Sequence, residues 1–481
     1  MTISRRHVLE ALGAGAALGT VGTLASPAGA TPPADGVEDR LDRLGRVLGD
    51  PVRVFVHPES GATRAVLDAV DAVGGEVLYD YDNFAFVAAA IPEGTRDTLA
   101  GTTGVAFVED DGSVGVPGGW DPSLPDLLGG GDPDCTAHPP QQSSWGRDRI
   151  GADDIEETGD GADVAVLDTG IQTDHCSLSV AGGRDVTGSG LPDDYEDEHG
   201  HGTHVAGIVG ALDNDLGVVG TAPAADLYAV KVLNDDGSGT YSALVAGIDW
   251  CVSNDVEVLA MSLGGEAESD SVSQAIEEAT DTGHLLVGSA GNEGNEGPDA
   301  CDAETMTFPA THPDVLAVTA MDQDDTLASY SSVGSAVDLL APGSNVLSTY
   351  VDNEYARASG TSMACPYVAG VAALVWATRP ESGPGPNDAV RDALIGTADT
   401  VLDACAEGHG LVNAPGAIEA AGGENGGGGG SGDGGSGGDG DDGGDGTGGG
   451  GDGDGGTAPE DSDPRGLLAR LLDWLRRLFG G

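Results

Sequence analysis

The chain has 481 residues, 81 of them acidic against 19 basic, for a formal net charge of −62. So negative a surface repels phosphate, which excludes nucleic acid as a partner. In dilute buffer it also repels itself, whereas at about 1 M salt the screening length falls to roughly 3 Å, so the composition points to a protein that works in brine. The length allows two folded units, and a single lysine, Lys231, with 4% aromatic residues sets the chain apart from ordinary globular composition.

Residues 1–30 read as an export signal of the twin-arginine type: Arg5 and Arg6 precede a Gly- and Ala-rich apolar run that ends in "SPAGA", a small-x-small cleavage pattern. From 51 to 114, "VRVFVH", "GATRAVLDAVDAVG", "EVLYDYDNFAFVAAAI", "EGTRDTLAGTTG" and "VAFVED" alternate strand and helix patterns and predict a small α+β unit. Residues 115–140, rich in Gly, Pro and Asp, read as an exposed processing linker. From 141 to 421 short apolar strands ("ADVAVLDTG", "VEVLAMSLGG", "HLLVGSAGN", "DVLAVTAMD", "AVDLLAPG") alternate with helical runs, which predicts an α/β domain with a parallel sheet covered on both faces. Residues 422–464 are too poor in apolar groups to fold and form a charged tether. In 465–481, Leu467, Leu468, Leu471, Leu472, Trp474, Leu475, Leu478 and Phe479 recur at helical spacing beside Arg465, Arg470, Arg476 and Arg477, an amphipathic helix suited to an anionic membrane surface.

Four polar residues fall at strand ends and helix starts, where ligands bind in an α/β sheet: Asp168 closes "VAVLD", Asn292 follows "LLVGSAG", His201 precedes a helix and Ser362 opens another. His199, His201 and His204 stand beside Glu196, Asp197 and Glu198, a set of metal-ligand types, so the cluster reads either as a metal site or as the base serving a nucleophile elsewhere.

The segments "VLDTGI", "HGTHVAGIVGAL", "MSLGG", "SAGNEG", "LLAPG" and "GTSMACP" resemble the subtilisin-like serine peptidases over most of 141–421, and "AVKVLNDDGSGTYSALVAGID" is most similar to the proteinase K branch. The resemblance implies a salt-adapted, halolysin-like serine endopeptidase, secreted and made as a self-processing precursor. In it Ser362 is the nucleophile, His201 the base, Asp168 its orienting carboxylate and Asn292 an oxyanion donor. His204 is then a buried, hydrogen-bonded residue and His199 a solvated loop residue. Gly237, Ser238, Gly239 and Ser262, Leu263, Gly264 resemble the two edge segments that pair with protein and peptide substrates as an added strand. The unit at 51–114 resembles the propeptides that inhibit these enzymes from within the same chain, and the enzyme is expected to be a monomer. Alternatives of other classes are a processing protease with a narrow target and an inactive surface-binding protein.

Calcium is implied by the same resemblance. Gln141, the carbonyls of Leu212, Leu216 and Val218 and the Asn214 side chain match one family site, although Ser177 replaces its usual aspartate; the carbonyls of Pro313 and Val315 with Asp338 match another. Cys365 and Tyr367 replace the Thr and His common after the nucleophile, and Cys365 reads as a small core residue. Of the six cysteines, Cys135 and Cys176 are the expected disulfide pair, both lying near the elements of the first calcium loop.

Overall fold

A computed structural model describes residues 51–60, 62–122, 135, 139–188, 190–265, 267–295, 304–379, 387–402 and 404–422, with the single residues 37, 41 and 45. The expected export signal, the tether beyond residue 422 and the amphipathic helix at 465–481 lie outside the described residues.

The N-terminal unit is a four-stranded sheet carrying two helices. Its strands are β1 (Pro51–Pro58), β2 (Glu76–Asp80), β3 (Val87–Pro92) and β4 (Val105–Asp110), in the order β2-β3-β1-β4, and its helices are α1 (Thr63–Ala72) and α2 (Arg96–Ala100). Side chains alternate across a strand, and both sets are apolar here. Val54, Val56, Val87, Ala89 and Ile91 pack with Val66, Val70 and Leu99 of the unit's own helices. Phe55, Ala88, Ala90, Tyr79 and Phe86 face the other way and share a core with Tyr241, Leu244 and Trp250 of the larger domain. A sheet with two apolar faces must be covered twice, and the second cover is the rest of the chain.

A short strand, β5 (Ser113–Gly115), follows. The larger domain is built on β6 (Asp163–Asp168), β7 (Val180–Asp185), β8 (Asp226–Lys231), β10 (Val258–Met261), β11 (Leu285–Ser289), β12 (Val315–Met321) and β13 (Leu339–Pro342), while β9 (Ser238–Thr240) lies outside this sheet. The seven strands run in parallel in the order β13-β12-β11-β10-β6-β8-β7. Strands such as "VAVLD" and "VLAM" are buried throughout because helices cover both faces. Those helices include α3 (His201–Gly210), α4 (Tyr241–Ser253), α5 (Asp270–Asp281) and α6 (Thr361–Thr378). Among the described residues α6 is the one helix long and apolar enough to cross a membrane, and 89% of its apolar window is buried inside the fold. The architecture is the α/β arrangement expected.

Candidate active site

Asp168 ends β6 and His201 begins α3, and both side chains are fully buried. His201 Nδ1 lies 2.8 and 2.9 Å from the two Asp168 oxygens, so Nδ1–H donates to the carboxylate and Nε2 is left to act. The helix reaches so close to the strand end because residue 202 is glycine: a Cβ there would lie 2.1 Å from the Gly170 carbonyl oxygen and 3.2 Å from Asp168 Cβ. Asp168 also accepts the Thr169 backbone N–H at 2.7 Å. Among the described residues His201 Nε2 is buried without a hydrogen-bond partner. The Ser362 hydroxyl is turned toward the Ser262 carbonyl, 3.4 Å away. Hydrogen bonds of this kind often close only when substrate is engaged.

Ser362 sits in the first turn of α6, 2% exposed. Asn292, on the loop after β11, is fixed from one side, where its Oδ1 accepts the Thr361 N–H at 2.9 Å and the Thr361 hydroxyl at 3.0 Å. Its Nδ2 is thereby aimed into the cleft, where it donates to the Gly118 carbonyl at 3.0 Å.

The chain's own residues 113–118 fill that cleft. β5 pairs antiparallel with β9, Gly115 opposite Ser238 and Val114 opposite Gly239, and Val116 N–H donates to the Gly237 carbonyl. On its other side Gly115 exchanges both backbone hydrogen bonds with Gly264 at 2.9 Å. The start of the stretch expected to be an exposed linker is therefore a strand held between two edges. Gly239 has no room for a side chain, since a Cβ would meet the Val232 carbonyl oxygen at 2.5 Å. Leu263 is buried in the core beside this edge. Residues 296–303 lie outside the described residues.

The N-terminal unit is anchored by charge as well. Glu109 accepts the Asp270 and Ser271 N–H groups at the start of α5, and Asp111 accepts the Ser242 N–H and hydroxyl at the start of α4. Carboxylates are favoured at helix N-termini, where unpaired N–H groups and the helix dipole meet them. Arg53 Nε pairs with Asp111 at 3.0 Å.

His204 is buried with Nε2 3.1 Å from the Ala356 carbonyl, and burial pushes its pKa down to about 3, so it is neutral. His199 is half-buried against Gly237 and Trp120 rather than solvated, because the chain beyond β5 covers it. Cys365 is fully buried, with its thiol pushed up to about 12 by desolvation, an inert core group. Tyr367 bonds through its hydroxyl to Ser144.

The roles of two residues of the site escaped the sequence reading. Asp197, only 4% exposed, accepts from the Thr169 hydroxyl, from the backbone of His199, Gly200 and Thr203, and from the Thr203 hydroxyl. It ties the loop after Asp168 to the start of the His201 helix. The signal for it was an Asp ahead of a helix start with Thr six residues on, a local side-chain-to-backbone pattern. Lys231 stands opposite Asp168 in the β8–β6 register, and its ammonium donates to the Thr169 carbonyl and to Asp235.

Several of the expected calcium ligands are engaged in hydrogen bonds or an ion pair within the fold. Gln141, Leu212, Asn214, Leu216 and Val218 do come together in one loop. Gln141 Oε1, however, accepts the Asn214 and Asp215 N–H groups, Asn214 Oδ1 accepts the Leu216 N–H, and the Ser177 hydroxyl donates to the Leu216 carbonyl. Asp213, in the same loop, accepts from Gln141 Nε2 at 2.6 Å, and a disulfide between Cys135 and Cys176 closes the loop. At the other position, near Pro313 and Val315, Asp338 accepts the Ala317 N–H and is paired with Arg391 at 3.0 Å, so a guanidinium neutralises the carboxylate a metal would need.

Residues 159–430 match the model of the subtilase family, peptidase family S8. A thermostable alkaline protease of Halalkalibacterium halodurans is 36% identical over 75% of this chain and 90% of its own. Subtilisin DY of Bacillus licheniformis is 43% identical over 58% of this chain and 99% of its own, and subtilisin E of Bacillus subtilis 36% over 73% and 85%. The chain belongs to the subtilase family and is a subtilisin-like serine endopeptidase.

Proposed function

We propose that this protein is made as an inhibited precursor and hydrolyses peptide bonds with Ser362 as nucleophile, His201 as general base and then acid, and Asp168 holding the imidazole in the tautomer that leaves Nε2 free. A serine hydroxyl is a weak nucleophile without such a base. The Asn292 amide donates to the oxygen that becomes negative in the transition state, and the first turn of α6 adds its dipole. Substrates bind as an extended strand between Gly237–Gly239 and Ser262–Gly264. Backbone pairing of this kind reads main chain more than side chain and gives broad specificity. One observation carries the reading: the chain's own Gly118 carbonyl lies against Asn292 Nδ2 while residues 113–116 are paired as a substrate strand would be.

The same reading makes residues 51–114 the inhibitor, with its carboxylates on two helix starts of the peptidase domain. The paired arginines near the N-terminus support export, and the net charge of −62 supports work in high salt. The peptidase acts as a monomer, and its C-terminal arginines and leucines hold it at an anionic membrane surface. The stretch around Gly237–Gly239 supports a place near the proteinase K branch, although the relatives above are subtilisins and an alkaline protease. The test is cleavage of an unbiased peptide library in molar salt by the enzyme and by Ser362→Ala. Broad cleavage that vanishes in the variant and fades as salt is withdrawn is expected; full activity in the variant overturns the proposal.

A further inference from the structure

Beyond Gly118 the chain does not leave the cleft. Gly119 takes a φ of 90°, a left-handed turn that favours glycine, and a Cβ on either Gly118 or Gly119 would meet nothing within 4 Å. The turn brings Trp120 back over the histidine cluster. Its ring centroid lies 4.6 Å from that of His201 and 5.7 Å from that of His204, both edge-on at 78°, and 6.3 Å from His199 at 24°. Trp120 is partly buried and packs against the core of the larger domain. Burial lowers the pKa of both His199 and His204. Neutral aromatic faces and edges are a surface that an indole matches.

Resting on the peptidase reading above, we propose that the first bond this enzyme cuts is its own Gly118–Gly119. We propose further that the rings of His199, His201 and His204 form an aromatic-binding subsite two residues past the cleaved bond, occupied first by Trp120. In the proposed cut each atom has a place. Ser362 Oγ attacks the Gly118 carbonyl carbon as His201 takes the hydroxyl proton, and the oxygen is held by Asn292 Nδ2. The Gly118–Gly119 C–N bond then breaks, and His201 returns the proton to the Gly119 amine. Water hydrolyses the acyl ester, freeing Ser362 and a carboxylate on Gly118. The segment ending at Gly118 keeps its pairing with Gly237, Ser238 and Gly264, so the cut product stays in the cleft, while Trp120 departs with the new N-terminus and opens the subsite to substrate. Cys135, downstream of the cut, remains with the mature enzyme and keeps its bond to Cys176.

The experiment follows the full-length precursor in molar salt by intact mass against time, for the wild type, Trp120→Ala and Trp120→Phe. Mature enzyme is then assayed on peptides ending Pro-Gly-Gly-Trp or Pro-Gly-Gly-Ala. The earliest wild-type product is expected to begin at Gly119. Trp120→Ala is expected to mature about 3- to 10-fold more slowly, the range of an aromatic pair, with Phe restoring most of the rate. The mature enzyme is expected to prefer the Trp peptide in kcat/KM by a similar factor, and His199→Ala to shrink that ratio. A first product beginning elsewhere, equal maturation of wild type and Trp120→Ala, or equal rates on the two peptides overturns the inference while leaving a peptidase in place. No cleavage of any bond overturns the peptidase reading itself.

Discussion

The Ser262 hydroxyl donates to the Ser362 carbonyl at 2.9 Å, and Pro366 explains why that carbonyl is available. In an α-helix the N–H four residues on would take it, but proline has none. The edge segment proposed to meet substrate thus holds the turn that carries the proposed nucleophile, Ser362. Ser262→Ala leaves a buried carbonyl unpaired, an expected loss of about 1–3 kcal/mol in stability. It should lower kcat more than it raises KM. Denaturant unfolding and steady-state kinetics check both, and unchanged kcat means the bond does not position Ser362.

Asp197→Asn turns one acceptor into a donor that faces the backbone or hydroxyl of its neighbours, chiefly Thr203 and His199. One unmatched buried group costs about 1–3 kcal/mol. The expected result is a lower melting temperature and a fall in kcat with little change in KM, because the Asp168–His201 alignment is disturbed while the substrate edges are untouched. A large rise in KM at constant kcat would place Asp197 in binding instead.

His57 gives docking of the N-terminal unit a pH dependence. Its ring stacks on Phe107 at 4.0 Å and Phe86 at 4.6 Å, and its Nε2 lies 2.8 Å from the Ser271 hydroxyl, which itself donates to Glu109; Nε2 therefore carries the proton of the neutral ring. Burial lowers its pKa from 6.5 to about 4, against the opposing pull of Asp270. A folded pKa below the unfolded one means the contribution is complete above about pH 6.5 and is lost as pH falls toward 4. In the Ser362→Ala precursor, amide protection of the N-terminal unit should drop across that window. His57→Phe, which keeps the stacking without titrating, should flatten the drop, and an identical pH profile in that variant contradicts the assignment.

The loop near Gln141 is held by a disulfide and by hydrogen bonds. Cys135 and Cys176 are separated by 41 residues, and in the chain-entropy picture a loop of that length is worth about 4 kcal/mol. Cys176→Ser should lower the melting temperature by roughly 10 °C. An unchanged melting temperature contradicts the role given to the disulfide.

Much of this arrangement is legible in the sequence, for physical reasons that differ by residue. Asp168, His201, Asn292 and Ser362 fall at the ends of strongly apolar elements, so their placement at strand ends and helix starts follows from the alternation of strands and helices. Cys135 and Cys176 flank elements that a family likeness already placed together. The role of Asp197 was hidden because, in a run of acids beside three histidines, it reads as a metal-ligand type, and only the fold reveals its five donors. Asp338 looked free to bind metal because Arg391, its partner, lies on a separate helix 53 residues on. His199 and Trp120 carry no local pattern; the cover over the histidines exists only once β5 enters the cleft.

The most direct test of the central claim is covalent trapping of the nucleophile. Mature enzyme in molar salt is treated with an aryl sulfonyl fluoride, and the modified peptide is located by mass spectrometry while residual activity is followed. One adduct, on Ser362, rising in step with the loss of activity and absent from His201→Ala, is the expected result. Inactivation with the adduct on another residue, or full modification of Ser362 with activity retained, contradicts it.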